Sequence, residues 1–266
     1  MKRKKIIVFQ GGLGNQLFQY AFLCKMRELG YETCYLNNAT GSHNGFEIQK
    51  YFITDMIECH SIFYRIFKYL EKLYRHGCHF VFSTEIRFSI KKSFQYGYWQ
   101  DLRFLPIGDI IKFKKLLLDD ANKRILDIMK EGNCIAIHVR RGDYLLPPHN
   151  KVFAGICTKE YYQKAICIMK SKFDKPKFFF FSNDMEWVKA NLHFPNDECF
   201  YIDWNVGDKS VLDMYLMSHC CGNILANSTF SFWGARLGNN NVVVYPKKWF
   251  NTMAAPNIFP SQWIGI

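Results

Sequence analysis

Residues 135–144 read IAIHVRRGDY: an apolar run suited to a buried strand stops abruptly at two arginines, a glycine and an aspartate. A second run, residues 177–181 (KFFFF), is apolar after its first position, so a strand there is buried on both faces. Strands covered on both sides belong to parallel sheets flanked by helices. Sheets of that kind bind ligands beyond the carboxyl ends of their strands. The chain is therefore expected to be an α/β protein, with Arg140 and Arg141 at the edge where such folds hold their ligands. The planar guanidinium fork matches phosphate oxygens, so paired arginines there suit a diphosphate. An ordinary ion pair of Arg140 or Arg141 with Asp143 is the competing reading, and this segment alone leaves both open.

The rest of the chain repeats the alternation. Residues 5–10 (KIIVFQ) read as a strand, Gly11-Gly12-Leu13-Gly14 as a tight turn, and residues 15–29 as a helix closed by Gly30. With a second strand at 33–36 this makes a β–turn–α–β unit. Residues 62–73 have amphipathic helical spacing, and 112–131 read as a helix stopped by Gly132. A second α/β half follows: strands at 134–139, 177–181, 200–202, 222–226 and 242–245, with helix starts at Thr158, at the capping box Ser210–Asp213, and at Asn227-Ser228-Thr229. Two Rossmann-like domains are expected, residues 1–125 and 126–266.

A net charge of +12 and a pI near 9.2 favour anionic partners. The basic residues are scattered and no RNA or DNA motif occurs, which argues against a nucleic-acid partner. A phosphorylated small molecule fits better, and the same charge suits peripheral association with an acidic membrane face. No apolar stretch approaches 18 residues, and the short run at 6–9 after the basic start is no signal peptide. The ten cysteines are dispersed without CxxC and several sit in apolar patterns, so they read as reduced core thiols of a cytoplasmic protein.

Four strand ends carry polar signatures: 11–16, 138–144, 182–184 and 227–231. Two facing Rossmann-like halves would bring all four to one cleft. The turn Gly12-Leu13-Gly14 lacks the third glycine of the dinucleotide fingerprint, and no Walker lysine follows, so neither NAD nor a P-loop nucleotide fits. What remains is a turn at Gly14 that lets a ligand touch backbone, with Asn15 and Gln16 at a helix start; Asn15 as a simple N-cap is the alternative. Asn227, Ser228 and Thr229 open a helix whose free N–H groups make a phosphate seat, or merely cap it. Asp184 either presents a carboxylate to a guanine or caps the next helix. His138 alternates with apolar neighbours, as core histidines do. Tyr98-Trp99 is either a sugar-stacking pair or core. The absence of Asp-x-Asp removes the usual carboxylate pair for a metal-held diphosphate, so neither metal nor cofactor is expected.

Together, residues 11–21 (GGLGNQLFQYA), 97–100 (GYWQ), 138–144 (HVRRGDY), 181–184 (FSND) and 227–235 (NSTFSFWGA) resemble glycosyltransferase family 11, the α-1,2-fucosyltransferases. The resemblance implies a GT-B-like fold, two facing Rossmann-like domains with a cleft between them, the first on the acceptor side and the second binding GDP-sugar. It implies metal-independent, inverting transfer of L-fucose from GDP-β-L-fucose to the 2-hydroxyl of a terminal galactose, on an oligosaccharide or a lipid-linked glycan. Another GDP-sugar donor is the alternative. By the family's motifs the resemblance implies that Arg140 holds the β-phosphate, that His138 and Asp184 face the guanine, and that Ser228 and Thr229 complete the phosphate seat. Asn15 and Gln16 then lie near fucose or acceptor, and Asp143 is the candidate base unless it is braced by Arg141. Phe232 departs from the tryptophan common in the family. Animal members carry an N-terminal membrane anchor, which this chain is expected to lack.

Overall fold

A computed structural model describes residues 4–39, 43–59, 93–106, 108, 110–192, 194–238 and 242–266. The chain divides into two compact units, Met1–Ile111 and Lys112–Ile266.

In the first unit, strands β1 (Lys4–Phe9), β2 (Glu32–Asn37) and β3 (Phe94–Gln95) form a parallel sheet in the order β2-β1-β3. Helix α1 (Leu13–Glu28) connects β1 to β2, and almost its whole surface is buried, including Leu17, Phe18, Ala21 and Phe22. The chain leaves α1 through Gly30, whose φ of +84° lies in the left-handed region that glycine enters without steric cost. Trp99 stacks on Phe22 with ring centroids 3.9 Å apart and meets Phe104 edge-on, so its indole belongs to the core. The short helix α2 (Ile48–Tyr51) follows β2. The helix expected over 62–73 lies outside the described residues.

The second unit holds six parallel strands: β4 (Cys134–Val139), β5 (Lys177–Ser182), β6 (Cys199–Ile202), β7 (Gly222–Ile224), β8 (Val242–Tyr245) and β9 (Ile264–Gly265). Their order is β6-β5-β4-β7-β8-β9. The chain lays down β4, β5 and β6 towards one edge, returns, and builds β7 to β9 towards the other. The reversal falls between β4 and β7. On one face, Ile135, Ile137, Val139, Phe178 and Phe180 pack against Tyr162, Ile166 and Met169 of helix α5 (Lys159–Lys172). On the other, Phe179 and Phe181 are equally buried, which is why β5 carries four consecutive phenylalanines. Each such ring stabilises the fold by roughly 2–3 kcal/mol relative to exposure. Phe232 is buried in an aromatic cluster with Trp233 and Trp263.

Three sequence expectations change. Helix α3 spans Asp120–Lys130 rather than 112–131, because Asp119 accepts from the Asn122 amide and starts the helix there. Ser210 makes no side-chain cap; a 3₁₀ turn, Gly207–Ser210, runs directly into helix α7 (Val211–Ser218). The units part at 111/112, upstream of the 125/126 boundary, since α3 is tied to the second unit. There Asn122 and Asn205 exchange amide hydrogen bonds at 2.8 and 2.9 Å, and Trp204 Nε1 donates to Asn122 Oδ1. Short helices α4 (Asn150–Phe153) and α6 (Met185–Asn191) and helix α8 (Thr229–Arg236) complete the unit. Among the described residues no helix is long and apolar enough to cross a membrane.

The amide network ends on a carboxyl. Asn205 Nδ2 donates to Asp213 Oδ1 at 2.7 Å, and burial pushes the Asp213 pKa up from 3.8 to about 8, with Asn205 partly opposing it. A carboxyl raised on folding leaves stability intact below its unfolded pKa near 3.8 and erodes it as pH climbs towards 8. Asp213→Asn keeps the acceptor for Asn205 and removes the titration. Thermal melts of both proteins from pH 4 to 8 should therefore diverge, the variant gaining about 2 kcal/mol near pH 8 after allowance for partial solvent contact. Parallel curves would show that Asp213 is charged at no cost.

Candidate active site

In a doubly wound parallel sheet the ligand crevice opens beyond the carboxyl ends of the two strands where strand order reverses. In the second unit those strands are β4 and β7, paired through Ile135–Gly222 and Ile137–Ile224. Beyond β4 come Arg140 to Tyr144; beyond β7 come Asn227, Ser228 and Thr229. The two polar signatures are thus neighbours across the switch point.

His138, the penultimate residue of β4, is buried against Phe230 at the start of α8, ring centroids 5.6 Å apart. Burial, with the Arg140 charge adding to it, pushes its pKa down to about 3, so the ring is neutral at physiological pH. Its Nδ1 is buried without a hydrogen-bond partner among the described residues. A buried polar atom left unpaired is costly and is commonly reserved for a ligand.

After β4 the chain enters a 3₁₀ turn, Gly142–Leu145, which curls Asp143 back onto Arg140; Nη2 and Oδ1 lie 2.8 Å apart. Arg141 turns the other way. Its Nε donates to Asp184 Oδ2 at 2.9 Å and its guanidinium lies 4.1 Å from the Trp187 ring centroid. The expected pairing of Arg141 with Asp143 is therefore corrected: Val139 pairs with Ser182 in the sheet, which carries Asp184 to Arg141 instead. Asp184 also accepts from Trp187 N at the start of α6, so it caps that helix. Oδ1 on the cap and Oδ2 on Arg141 hold the carboxylate in place. Gly142 is required here: at φ +26° an added Cβ would sit 2.2 Å from Asn183 Nδ2, and Asn183 Oδ1 accepts from the Arg141 amide.

Tyr144 is absent from the residues expected of the site, yet it joins the two strand ends. Its hydroxyl donates to the Asn227 carbonyl at 3.1 Å, and burial pushes its pKa up to about 12, so it stays a donor. Arg140 lies over its ring, 5.5 Å from the centroid. The only sequence signal is its position within the motif at 138–144.

At the β7 side, Ser228 caps α8 by accepting from Phe230 N. Asn227 clasps the loops around it: its amide donates to the Phe153 and Trp249 carbonyls and accepts from the Cys157 thiol. Thr229 opens the helix half-buried, so its hydroxyl and the first turn of N–H groups supply the anion-favouring end of α8.

In the first unit, Gly12 rather than Asn15 is the N-cap of α1, which places Gly14 and Asn15 inside its first turn. Asn15 Oδ1 accepts from Gln100 at 3.2 Å, tying the turn to the GYWQ loop. Gln16 is fully buried and its amide is saturated. Nε2 donates to the carbonyls of Gly11 and Gly45, and Oε1 accepts from the N–H groups of Glu47 and Ile48. The expectation that Gln16 faces sugar or acceptor gives way to a clasp on the turn. Gln19 works similarly, accepting from Gln10 N and donating to the Gly97 carbonyl.

The alpha-1,2-colitosyltransferase of Escherichia coli is 30% identical over 289 residues, 96% of each chain. The galactoside alpha-(1,2)-fucosyltransferase 1 of Sus scrofa is 24% identical over 279 residues, 96% of this chain and 73% of the relative. The fold is similar to the crystal structure of the fucosyltransferase NodZ from Bradyrhizobium, with a TM-score of 0.50 and 16% identity over 90% of this chain and 93% of that one. The family model for glycosyl transferase family 11 matches residues 2–266, and the chain belongs to that family.

Proposed function

We propose that this glycosyltransferase moves L-fucose from GDP-β-L-fucose to the 2-hydroxyl of a terminal galactose, with inversion and without a metal ion. One observation carries the donor reading: Arg140, beyond β4, and the amino end of α8, beyond β7, follow the two paired strands at the switch point of the second unit's sheet. Only one edge of the Arg140 guanidinium is engaged by Asp143, which leaves donors for phosphate oxygens. The α8 terminus with Ser228 and Thr229 supports the same anion. Both concentrate positive potential where a departing diphosphate gathers charge as the sugar's C1–O bond loosens towards an oxocarbenium-like state. Neutral His138, with Nδ1 unsatisfied, is the group to meet the guanosine half. Asp143 is the carboxylate beside this arginine and remains the proposed acceptor of the galactose hydroxyl proton. In the first unit, Gly14 and Asn15 keep their proposed place near the sugar or acceptor.

The 30% identity to a colitosyltransferase favours a second reading, in which the transferred sugar is colitose. One experiment decides between them. GDP-fucose and GDP-colitose are offered separately with galactose-terminated acceptors, and the product linkage is determined. An α-1,2-fucosylated product, with GDP raising the thermal midpoint of the protein, is expected. Transfer of colitose alone would replace the donor, and neither transfer nor stabilisation by GDP would overturn the site.

A further inference from the structure

At the opposite edge of the same sheet, where β4 and β7 begin, three thiols meet. Cys134 is the first residue of β4 and is fully buried. Cys221 immediately precedes β7 and is half-buried, and Cys220 behind it is buried. Because Ile135 pairs with Gly222, Cys134 lies opposite Cys221, and the Cys221 amide donates to the Cys134 carbonyl at 2.8 Å. Their Sγ atoms are 3.7 Å apart. Adjacent strands lie about 4.8 Å apart, inside the Cα separation that a disulfide spans. The proposed glycosyl transfer uses neither thiol.

We propose that Cys134 and Cys221 form a redox-active dithiol that a low-molecular-weight disulfide converts into a bond between the two strands. The environment of Cys134 supports it. On its other side, strand β5 sets Lys177 opposite it in register. Hydrogen bonding from the Cys220 thiol and the Cys221 amide outweighs burial and brings the Cys134 pKa down to about 6. A lowered pKa makes the Cys134 sulfur the more readily ionised of the pair.

The chemistry divides between the two residues by access. The half-buried Cys221 thiol, whose pKa is raised by burial, gives its proton to water as its sulfur attacks one sulfur of the small disulfide RSSR, releasing RS⁻ and leaving a mixed disulfide. The Cys134 thiolate then attacks the Cys221 sulfur, releasing the second RS⁻ as the Cys134–Cys221 bond forms. Two protein thiols become one disulfide, and RSSR becomes two thiols. Bond formation closes the sulfurs from 3.7 Å to about 2.05 Å. Joining neighbouring strands strains a disulfide, which raises its potential and makes it reversible. The bond would pin the starts of the two strands whose far ends carry Arg140 and Ser228.

The test equilibrates the native full-length protein with glutathione and glutathione disulfide at graded ratios, alkylates the remaining thiols and maps the peptides. Expected is a Cys134–Cys221 cross-link whose fraction follows the ratio and reverses on reduction. It should persist in Cys220→Ser and vanish in Cys221→Ser. The exposed Cys167 is the internal control for nonspecific thiolation. The proposal is overturned if the pair stays alkylatable while Cys167 is glutathionylated, or if Cys220 and Cys221 couple to each other instead.

Discussion

Replacing Arg140 with lysine is expected to lower kcat/KM for the nucleotide-sugar donor by about a hundredfold, ~2.7 kcal/mol of transition-state stabilisation, and replacement with alanine by about a thousandfold. Charge alone predicts much less for lysine, since the formal cation is retained. What is lost is the fork: an ammonium offers three donors around a point, whereas a guanidinium offers, along one planar edge, two parallel N–H bonds matched to phosphate oxygens. In this protein one edge of the guanidinium already meets Asp143 at 2.8 Å, and the ring of Tyr144 lies beside the plane. Asp143 and the Tyr144 ring therefore hold the guanidinium in place, and a flexible lysine would lose that placement. Folding should be almost untouched. The Arg140–Asp143 pair is partly solvated, and ion pairs of that kind contribute at most about 1 kcal/mol. Initial rates with saturating acceptor, read beside thermal melts, separate the two effects. Near wild-type turnover by the lysine variant would remove Arg140 from the diphosphate.

The contrast between Arg140 and Arg141 also marks what could be read before the fold was known. Strands β4 and β5 are legible because both of their faces are apolar, and α8 because Ser228 precedes an aromatic helix. The β4 run ending in arginines likewise places a cationic strand end correctly. Which arginine meets which carboxylate depends on the neighbouring strand. Only the pairing of β4 with β5 reveals that Asp184 reaches Arg141, and only the 3₁₀ turn at Gly142 returns Asp143 to Arg140. The start of α3 misleads for a related reason. Residues 112–119 continue an apolar spacing, but Asp119 satisfies the amide of Asn122 and fixes the first turn at Asp120. Leu117 is left 90% exposed, a hydrophobic residue that no helical face claims. Local pattern sets the element; long-range hydrogen bonding sets its boundary and the partners of its polar side chains.

Gln16 shows the same limit most sharply, and its replacement should give the largest loss of stability in the first unit. A glutamine inside a recognised turn motif reads as a ligand group, but here all four of its hydrogen-bonding positions are filled by backbone from Gly11, Gly45, Glu47 and Ile48. The last three belong to the chain at the start of α2, so one side chain staples the glycine turn to a segment thirty residues on. Gln16→Leu fills the same space and leaves two carbonyls and two N–H groups without that partner. Each orphaned buried group costs on the order of 1–3 kcal/mol, with solvent recovering part at the half-buried glycines. A net loss of about 3–4 kcal/mol is expected, seen as a thermal midpoint lower by roughly 10 °C. Gln16→Glu should behave differently. It keeps the acceptor for Glu47 and Ile48 but sets a carboxylate against the carbonyls of Gly11 and Gly45, so its deficit should shrink on acidification as a protonated oxygen regains one donor. Neither variant should raise KM for donor or acceptor well below its melting range, because no hydrogen bond of Gln16 is free to be lost from a ligand. A raised KM with an unchanged melting point would reverse the assignment and return Gln16 to the binding surface.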